Sequence, residues 1–171
     1  MNFSQKQLKK PCLTVGVEIY TDGSAKGNPG KGGYGVVLLS GKHRREISQG
    51  FRLTTNNRME LLAVIIGLES LKKTPEKVLV YSDSKYVVDA VEKGWVFSWE
   101  KTNFNKKKNP DLWVRFLKIY RRHHVSFKWV KGHSDNVENE RCDFLAVESS
   151  EKPGLKTDGW YERSQEKNTL F

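Results

Sequence analysis

The chain has few cysteines, fewer acidic than basic residues and no long apolar run. Its 171 residues include two cysteines, Cys12 and Cys142, and twenty Asp and Glu against thirty Lys and Arg. Two cysteines are too few for a disulfide scaffold, so we expect free thiols in a reducing compartment. The longest apolar run, residues 61–68, is too short to span a membrane. Residues 1–10 contain lysines without a following apolar stretch, so we predict a cytoplasmic protein that is neither secreted nor membrane-bound.

Length and composition predict one main domain. With 37% hydrophobic and 29% charged residues, the chain resembles an ordinary globular protein and is long enough to bury a core. We divide it into an N-terminal extension (residues 1–12), a folded domain (residues 13–149) and a polar C-terminal tail (residues 150–171). We expect the tail to be loosely attached. No pattern indicates an obligate protein partner, so we expect a monomer.

The excess of basic residues is uneven along the chain. The formal net charge is +10, and residues 91–131 carry eleven Lys and Arg against three Asp and Glu. Tryptophans and phenylalanines lie between these basic residues. A basic stretch with interleaved aromatic side chains is typical of proteins that bind nucleic acid. A solvated cationic face is the alternative, and charge alone does not decide between the two.

Hydrophobic periodicity predicts a mixed α/β sheet with helices on its faces. Three apolar strands come first, and helices and strands then alternate. The basic stretch around residues 95–110 is predicted to be irregular. The first predicted strand ends at Asp22, and the other four cover residues 32–40, 43–53, 77–83 and 125–130. The predicted helices cover residues 56–73, 84–94, 111–122 and 137–150.

The glycine-rich segment at residues 20–35 matches a nucleotide-binding pattern only superficially. Residues 30–35 satisfy G-x-G-x-x-G. A dinucleotide-binding loop opens a helix, whose N-terminus receives the pyrophosphate, whereas these glycines lead into a predicted strand. We therefore predict a structural role for them, in a turn at residues 28–30 and in close backbone approach.

Four carboxylates are better candidates for chemistry: Asp22, Glu60, Asp83 and Asp143. Asp22 and Asp83 follow predicted strands, where ligands of α/β sheets gather. Each carboxylate also has a structural alternative, namely a turn hydrogen bond for Asp22, a helix cap for Glu60 and Asp83, and an ion pair with Arg141 for Asp143. Together, however, four acids in a basic protein would repel one another unless a cation bound them. Hard oxygen ligands favour Mg²⁺ or Mn²⁺.

The carboxylates lie in motifs that resemble those of type 1 ribonuclease H, the bacterial ribonuclease HI family. The matching segments, in order along the chain, are "YTDGS", "TTNNRMEL", "YSDSKYV", "WVKGH" and "ENERCDFLA". The resemblance covers residues 18–147 and implies a ribonuclease H-like fold, with a five-stranded mixed sheet of three antiparallel strands followed by parallel ones. Residues 13–149 would then be the catalytic domain.

The resemblance also implies an activity and a cofactor. The family hydrolyses the RNA strand of RNA–DNA hybrids endonucleolytically, leaving 5′-phosphate and 3′-hydroxyl ends. Two Mg²⁺ ions, for which Mn²⁺ can substitute, would be held by Asp22, Glu60, Asp83 and Asp143. His133 would help to move protons or to release product, and Glu140 would influence metal occupancy.

The same resemblance assigns substrate contacts. Short polar side chains that read the RNA 2′-hydroxyl match Asn28, Asn56 and Asn57, with Lys85 beside them. Thr55 and Asn109 match positions that hold a phosphate of the DNA strand. Trp95 and Trp99 match tryptophans that line the DNA-strand channel, with helix packing as the alternative for one of them.

The chain departs from the family pattern at three places. Its basic segment, residues 100–110, is shorter than the common bacterial form, and its lysines are grouped at residues 106–108. Leu53 stands where many relatives have an arginine near the DNA-phosphate pocket, so this contact is either missing or made by Arg52 instead. The segment after His133 lacks the usual glycine and proline.

A non-catalytic nucleic-acid-binding module and a DNA nuclease or strand transferase are the competing hypotheses. The four retained carboxylates argue against the first, and the "TTNNRME" cluster argues against the second.

Overall fold

The computed structural model describes residues 16–133 and 135–169, so the predicted N-terminal extension and Cys12 lie outside the described residues. Five strands and six helices are seen in this part of the chain. In chain order they are β1 (Val17–Ala25), β2 (Gly30–Ser40), β3 (His43–Thr54), α1 (Asn56–Glu69), β4 (Lys77–Ser82), α2 (Lys85–Glu92), α3 (Trp95–Lys101), α4 (Pro110–Tyr120), β5 (His124–Trp129), α5 (Val137–Glu151) and α6 (Gly159–Thr169).

The strands form one mixed sheet in the order β3-β2-β1-β4-β5. β1, β2 and β3 are antiparallel neighbours, whereas β4 lies parallel to β1 and β5 parallel to β4. This confirms the predicted five-stranded mixed sheet, with three antiparallel strands followed by parallel ones. The parallel pairing of β1 with β4 ends at Thr21 and Ser82.

Helices cover both faces of the sheet. On one face, α1, α2 and α4 contribute to the larger core, in which Trp113 and Phe116 are fully buried. α1 is buried around most of its circumference, as the sequence predicted. On the other face, α5 packs Cys142 and Leu145 against Val37 of β2. Cys142 is a free thiol in this core.

Glycines of the sheet allow α5 to approach closely. A Cβ atom at Gly35 would lie 2.1 Å from the carbonyl oxygen of Cys142, and one at Gly33 would lie 2.5 Å from that of Ala146. Both distances are too short for any side chain. Gly33 and Gly35 are therefore helix-packing positions, which confirms the predicted close backbone approach.

Two predicted features differ from the structure. Residues 95–101 were expected to be irregular but form α3, which begins after Gly94 in the left-handed conformation (φ 73°). The C-terminal tail is not loosely attached over residues 156–162. Lys156 exchanges backbone hydrogen bonds with Gly50 and Arg52, and Asp158 is buried. The backbone hydrogen bonds of Lys156 were not visible in the sequence, because they join segments about a hundred residues apart.

Membrane-spanning helices are not found in the described part of the chain. Its helices are too short or too polar to cross a bilayer.

Candidate active site

Asp22 and Asp83 come together because they leave parallel neighbouring strands at the same edge of the sheet. Asp22 lies one residue beyond Thr21, the last residue of β1 that pairs with β4. Asp83 directly follows Ser82, the last residue of β4. β1 itself continues to Ala25 through its antiparallel pairing with β2, so Asp22 lies within a strand and not, as predicted, at its end.

Glu60 reaches the same place from α1. Thr55 caps this helix by accepting a hydrogen bond from the backbone N–H of Arg58 at 3.3 Å. Glu60 therefore lies two residues beyond the position that a capping box requires, which is held by Arg58, and the capping alternative for Glu60 is wrong. A Cβ atom at Gly23 would lie 2.3 Å from the backbone nitrogen of Glu60. The missing side chain at Gly23 thus lets α1 contact β1 beside Asp22.

The three carboxylates form a cluster that fits a divalent cation. Asp22, Glu60 and Asp83 each offer one oxygen, and these oxygens lie within 4.8 Å of one another. Glu60 Oε2 and Asp83 Oδ1 are buried and have no hydrogen-bond partner among the described residues. Buried polar atoms are normally satisfied, so two unpaired carboxylate oxygens in one cluster fit the binding of a cation. Hard oxygen donors of this kind suit Mg²⁺ or Mn²⁺.

Burial and the neighbouring negative charges raise the pKa values of the three clustered carboxylates. Burial, with the neighbouring carboxylates Asp83 and Asp143, raises the pKa of Asp22 to about 8, although the Gly23 N–H donates to its Oδ1 at 2.7 Å. Burial and the charges of Asp22 and Asp83 raise the pKa of Glu60 well above its usual range. Burial is also the main cause of the raised pKa of Asp83. A bound cation would relieve these costs.

Asp143 and His133 lie next to this cluster. Asp143 is half-buried on α5, and its charge acts on both Asp22 and Asp83. His133 is exposed in the loop before α5, with a left-handed backbone (φ 53°). A Cβ atom at Gly132 would lie 2.7 Å from Asp83 Oδ2, so this loop passes directly over the cluster.

The structural alternatives for the other two aspartates are also wrong. Ser84, and not Asp83, caps α2 by accepting from the N–H of Val87. Arg141, the proposed partner of Asp143, forms a bidentate ion pair with Glu46 of β3. Both acids are therefore left for another role.

Four of the predicted substrate residues line one cavity of about 550 Å³: Asn28, Thr55, Asn57 and Asn109. Asn28 Oδ1 accepts a 3.0 Å hydrogen bond from the backbone N–H of Asn56, which ties the β1–β2 turn to the start of α1. Asn109 is buried in the left-handed conformation at the start of α4. The long-range folding of the chain thus gathers side chains from three separate segments.

The two predicted tryptophans have different environments. Trp95 is 45% exposed, and Lys93 Nζ lies 4.9 Å from its ring centre. Trp99 packs edge-on against the buried Trp113 at 5.7 Å, while Lys107 Nζ lies 5.1 Å from its ring. Trp99 therefore contributes to core packing, whereas Trp95 presents an open aromatic surface.

Glu140, the residue predicted to influence metal occupancy, is exposed in the first turn of α5.

Trp129 and Arg58 organise the site, although neither was predicted from the sequence to do so. The indole N–H of Trp129 donates to the backbone carbonyl of Asp83 at 3.0 Å, and Lys85 Nζ lies 5.3 Å from the ring. Arg58 is almost fully buried, forms bidentate pairs with Asp111 and Asp158, and donates to Asn109 Oδ1 at 3.3 Å. Arg58 belongs to the quoted "TTNNRMEL" motif, so its place in that polar cluster was the available signal.

Comparison with known proteins agrees with this geometry. The RNase H family matches the chain over residues 15–151. The ribonuclease H of Trichodesmium erythraeum (strain IMS101) is 54% identical over 151 residues, which cover 85% of this chain and 96% of the relative. The ribonuclease HI of Synechocystis sp. (strain ATCC 27184 / PCC 6803 / Kazusa) is 48% identical over 151 residues, covering 84% and 94%.

Solved structures show the same likeness. LC9-RNase H1, a type 1 RNase H with the type 2 active-site motif, is similar with a TM-score of 0.72 at 30% identity, covering 86% of this chain and 80% of its own. LC11-RNase H1, solved in complex with an RNA/DNA hybrid, has a TM-score of 0.60 at 30% identity and coverages of 78% and 95%. The chain therefore belongs to the RNase H family of endoribonucleases, in the group of the bacterial ribonucleases HI.

Proposed function

We propose that this protein hydrolyses the RNA strand of RNA–DNA hybrids in a metal-dependent reaction. The observation that carries the proposal is the carboxylate cluster, in which Glu60 and Asp83 each keep a buried oxygen without a partner. Family membership and the hybrid bound to the related LC11-RNase H1 support this choice of substrate. The basic, aromatic-rich residues 91–131 supply the charge that a polyanionic substrate requires.

The carboxylates Asp22, Glu60, Asp83 and Asp143 would hold two Mg²⁺ ions, and Mn²⁺ has ligand preferences close enough to replace them. When bound, the two ions would supply an activated water for the attack and stabilise charge on the leaving oxygen. The protein's own contribution is the rigid geometry. The Gly23 N–H fixes Asp22, and the Trp129 indole fixes the backbone of Asp83.

His133 is the candidate for proton transfer or product release. Its side chain is exposed on a loop that contacts Asp83 through Gly132, so it can reach a substrate without being buried itself. An imidazole in this position can donate a proton to a leaving 3′-oxygen near neutral pH. We assign Glu140, exposed one turn before Asp143 on the same helix, a secondary influence on metal occupancy.

Selection of RNA requires groups that both donate to and accept from a 2′-hydroxyl. Asn28, Asn56 and Asn57 provide such amides at the junction of the β1–β2 turn and α1, and Lys85 provides a charge at the start of α2. The hydroxyl of Thr55 and the amide of Asn109 provide donors for a phosphate in the cavity that both residues line. Trp95 offers an open ring for the DNA strand, with Trp99 as its packed neighbour.

The proposed reaction and the proposed organisation of the chain have further details. Cleavage should leave 5′-phosphate and 3′-hydroxyl ends, because in-line attack by water at phosphorus expels the 3′-oxygen. We also propose that the catalytic domain comprises residues 13–149, with residues 1–12 as an extension and residues 150–171 as a tail, and that a monomer acts in the cytoplasm.

A substrate panel tests the proposed function. Labelled RNA–DNA hybrid, double-stranded RNA and double-stranded DNA of one sequence are incubated with the protein, first with Mg²⁺ and then with excess chelator. We expect cleavage of the RNA in the hybrid alone, and only with Mg²⁺. Binding of the hybrid without any cleavage would instead support a non-catalytic binding module, and cleavage of double-stranded DNA would support a DNA nuclease.

A further inference from the structure

The cavity that contains Thr55 and Asn109 has a second wall, which comes from the C-terminal helix. Besides the polar residues of the β1–β2 turn and α1, its lining includes Lys107 and Lys108 of the basic segment. The lining also includes Trp160, Tyr161, Ser164 and Gln165 of α6. None of the residues described as lining this cavity is acidic.

This wall is firmly anchored, although it lies in the polar tail of the chain. Asp158, at the start of α6, forms a bidentate pair with the buried Arg58 and accepts from Thr54 Oγ1 at 2.8 Å. One turn later, Glu162 forms a bidentate pair with Arg52 of β3. The guanidinium of Arg58 also lies 5.1 Å from the ring of Trp160. Charged groups on α1 and β3 thus fix where α6 lies.

The acidic residues Glu162 and Glu166 of α6 are not part of the cavity lining. Glu162 is drawn towards Arg52, away from the cavity, and Glu166 is exposed and is not part of the lining. The face of α6 towards the cavity carries the phenol of Tyr161, the hydroxyl of Ser164 and the amide of Gln165. All three groups are neutral, and the Ser164 hydroxyl donates to the backbone carbonyl of Tyr161 at 2.6 Å and accepts from the Gln165 amide at 3.3 Å. With Lys107 and Lys108 in the same lining, the phenol of Tyr161 and the amide of Gln165 suit an anionic, hydrogen-bond-accepting ligand.

We propose that α6 is part of the nucleic-acid-binding surface, and that Tyr161, Ser164 and Gln165 contact the sugar–phosphate backbone of the DNA strand next to the phosphate held by Thr55 and Asn109. This proposal rests on the proposed function, because it takes the hybrid as the ligand. It adds a binding wall that belongs to the tail and is held in place by Arg58 and Arg52. Contacts of this kind set affinity and register and leave the chemical step unchanged.

The test places a negative charge in the cavity. Gln165→Glu is nearly isosteric and changes the net charge by one. The matched control is Arg163→Gln, which causes the same change on an exposed residue of the same helix that does not line the cavity. Both substitutions are on the surface, so each variant should melt at the temperature of the unmodified protein.

Affinity for a labelled hybrid is measured by fluorescence anisotropy in chelator, and cleavage kinetics are measured with Mg²⁺. We expect Gln165→Glu to raise the hybrid Kd and KM about fivefold or more with kcat unchanged, and Arg163→Gln to change them less than twofold. Equal effects of the two variants, or none from Gln165→Glu, would overturn the role of α6. The proposed function is judged separately, from the cleavage of the hybrid by the unmodified protein with and without Mg²⁺.

Discussion

A Cβ atom on Gly23 would lie 2.3 Å from the backbone nitrogen of Glu60, so the strand that carries Asp22 and the helix that carries Glu60 are in backbone contact. No side chain fits between them. The distance between two of the three clustered carboxylates therefore depends on a residue that has no functional group of its own.

This contact predicts the effect of Gly23→Ala. A methyl group must push α1 away from β1, and overpacking of this kind costs about 1–3 kcal/mol of the free energy of unfolding. We expect a lower Tm together with a loss of Mg²⁺-dependent cleavage that is larger than the lost stability explains, because Glu60 is displaced. Thermal melting and cleavage rates below Tm measure the two effects. Ser24→Ala, one position along β1, is the control, and normal activity in Gly23→Ala would contradict the argument.

Asp22→Asn should abolish cleavage and yet stabilise the metal-free protein. The amide keeps an oxygen that accepts from the Gly23 N–H and replaces a carboxyl group whose charged form is disfavoured by burial and by the neighbouring carboxylates. We expect a gain on the order of 2 kcal/mol in the free energy of unfolding at pH 7, seen as a Tm several degrees higher in chelator. A lower Tm for Asp22→Asn would show that the carboxylates do not repel one another.

The raised pKa of Asp22 makes the stability of the metal-free protein depend on pH, with a defined sign. The pKa of Asp22 is about 8 in the folded protein, above its ordinary value near 3.8, so the folded state binds more protons than the unfolded state between these values. Stability of the metal-free protein should therefore fall as pH rises from about 4 to about 8. Mg²⁺ binding should release protons across this range, which calorimetry in buffers of different ionisation enthalpy detects. Asp22→Asn should flatten both dependences, and proton-independent Mg²⁺ binding would contradict this assignment.

Arg58→Lys should be strongly destabilising. Lysine cannot replace two bidentate pairs, so Asp158 and Asp111 would keep charges without full compensation. Breaking a buried ion pair costs about 3–5 kcal/mol, which chemical denaturation measures. Arg115→Lys, at an exposed bidentate pair with Glu69, is the matched control and should cost less than about 1 kcal/mol. Equal losses in the two variants would mean that burial of Arg58 contributes nothing.

The lysine group at residues 106–108 should govern the salt dependence of binding. Replacing all three by alanine should weaken hybrid binding and reduce the slope of log Kd against log salt, because each lost phosphate contact releases about one counterion fewer. A matched variant replaces Lys42, Lys72 and Lys73, which are exposed at the other edge of the sheet, where β2 ends and β4 begins. Identical slopes in the two triple variants would show that the lysine group does not contact phosphate.

Much of the fold could be predicted from local patterns. The order of strands and helices, the buried α1 and the position of Asp83 directly after β4 follow from hydrophobic periodicity and strand length. The helix α3 was not predicted, because its seven residues carry three large aromatic side chains and no regular apolar stripe. Its stability comes from Val96 and Trp99, which pack against the core of other elements.

The candidate site shows a similar division. Strand ends and the motif resemblance identified Asp22, Glu60 and Asp83 as one cluster, which the structure brings together. The anchoring of the tail by Asp158 was invisible, since its partner Arg58 is a hundred positions earlier and neither residue shows its burial in the sequence. The same reason applies to Arg52, one of the alternatives for the phosphate contact, whose pair with Glu162 was not visible in the sequence.

The proposed function requires the carboxylate cluster to cleave RNA through bound metal, and this is tested by the rate of RNA-strand cleavage in a hybrid as a function of Mg²⁺ concentration. The unmodified protein and Asp22→Asn are compared, with hybrid affinity measured in parallel. We predict no cleavage in chelator, a rate that rises and saturates with Mg²⁺ for the unmodified protein, and hybrid binding without cleavage for Asp22→Asn. Cleavage by the unmodified protein in chelator, or an unchanged rate in Asp22→Asn, would contradict it.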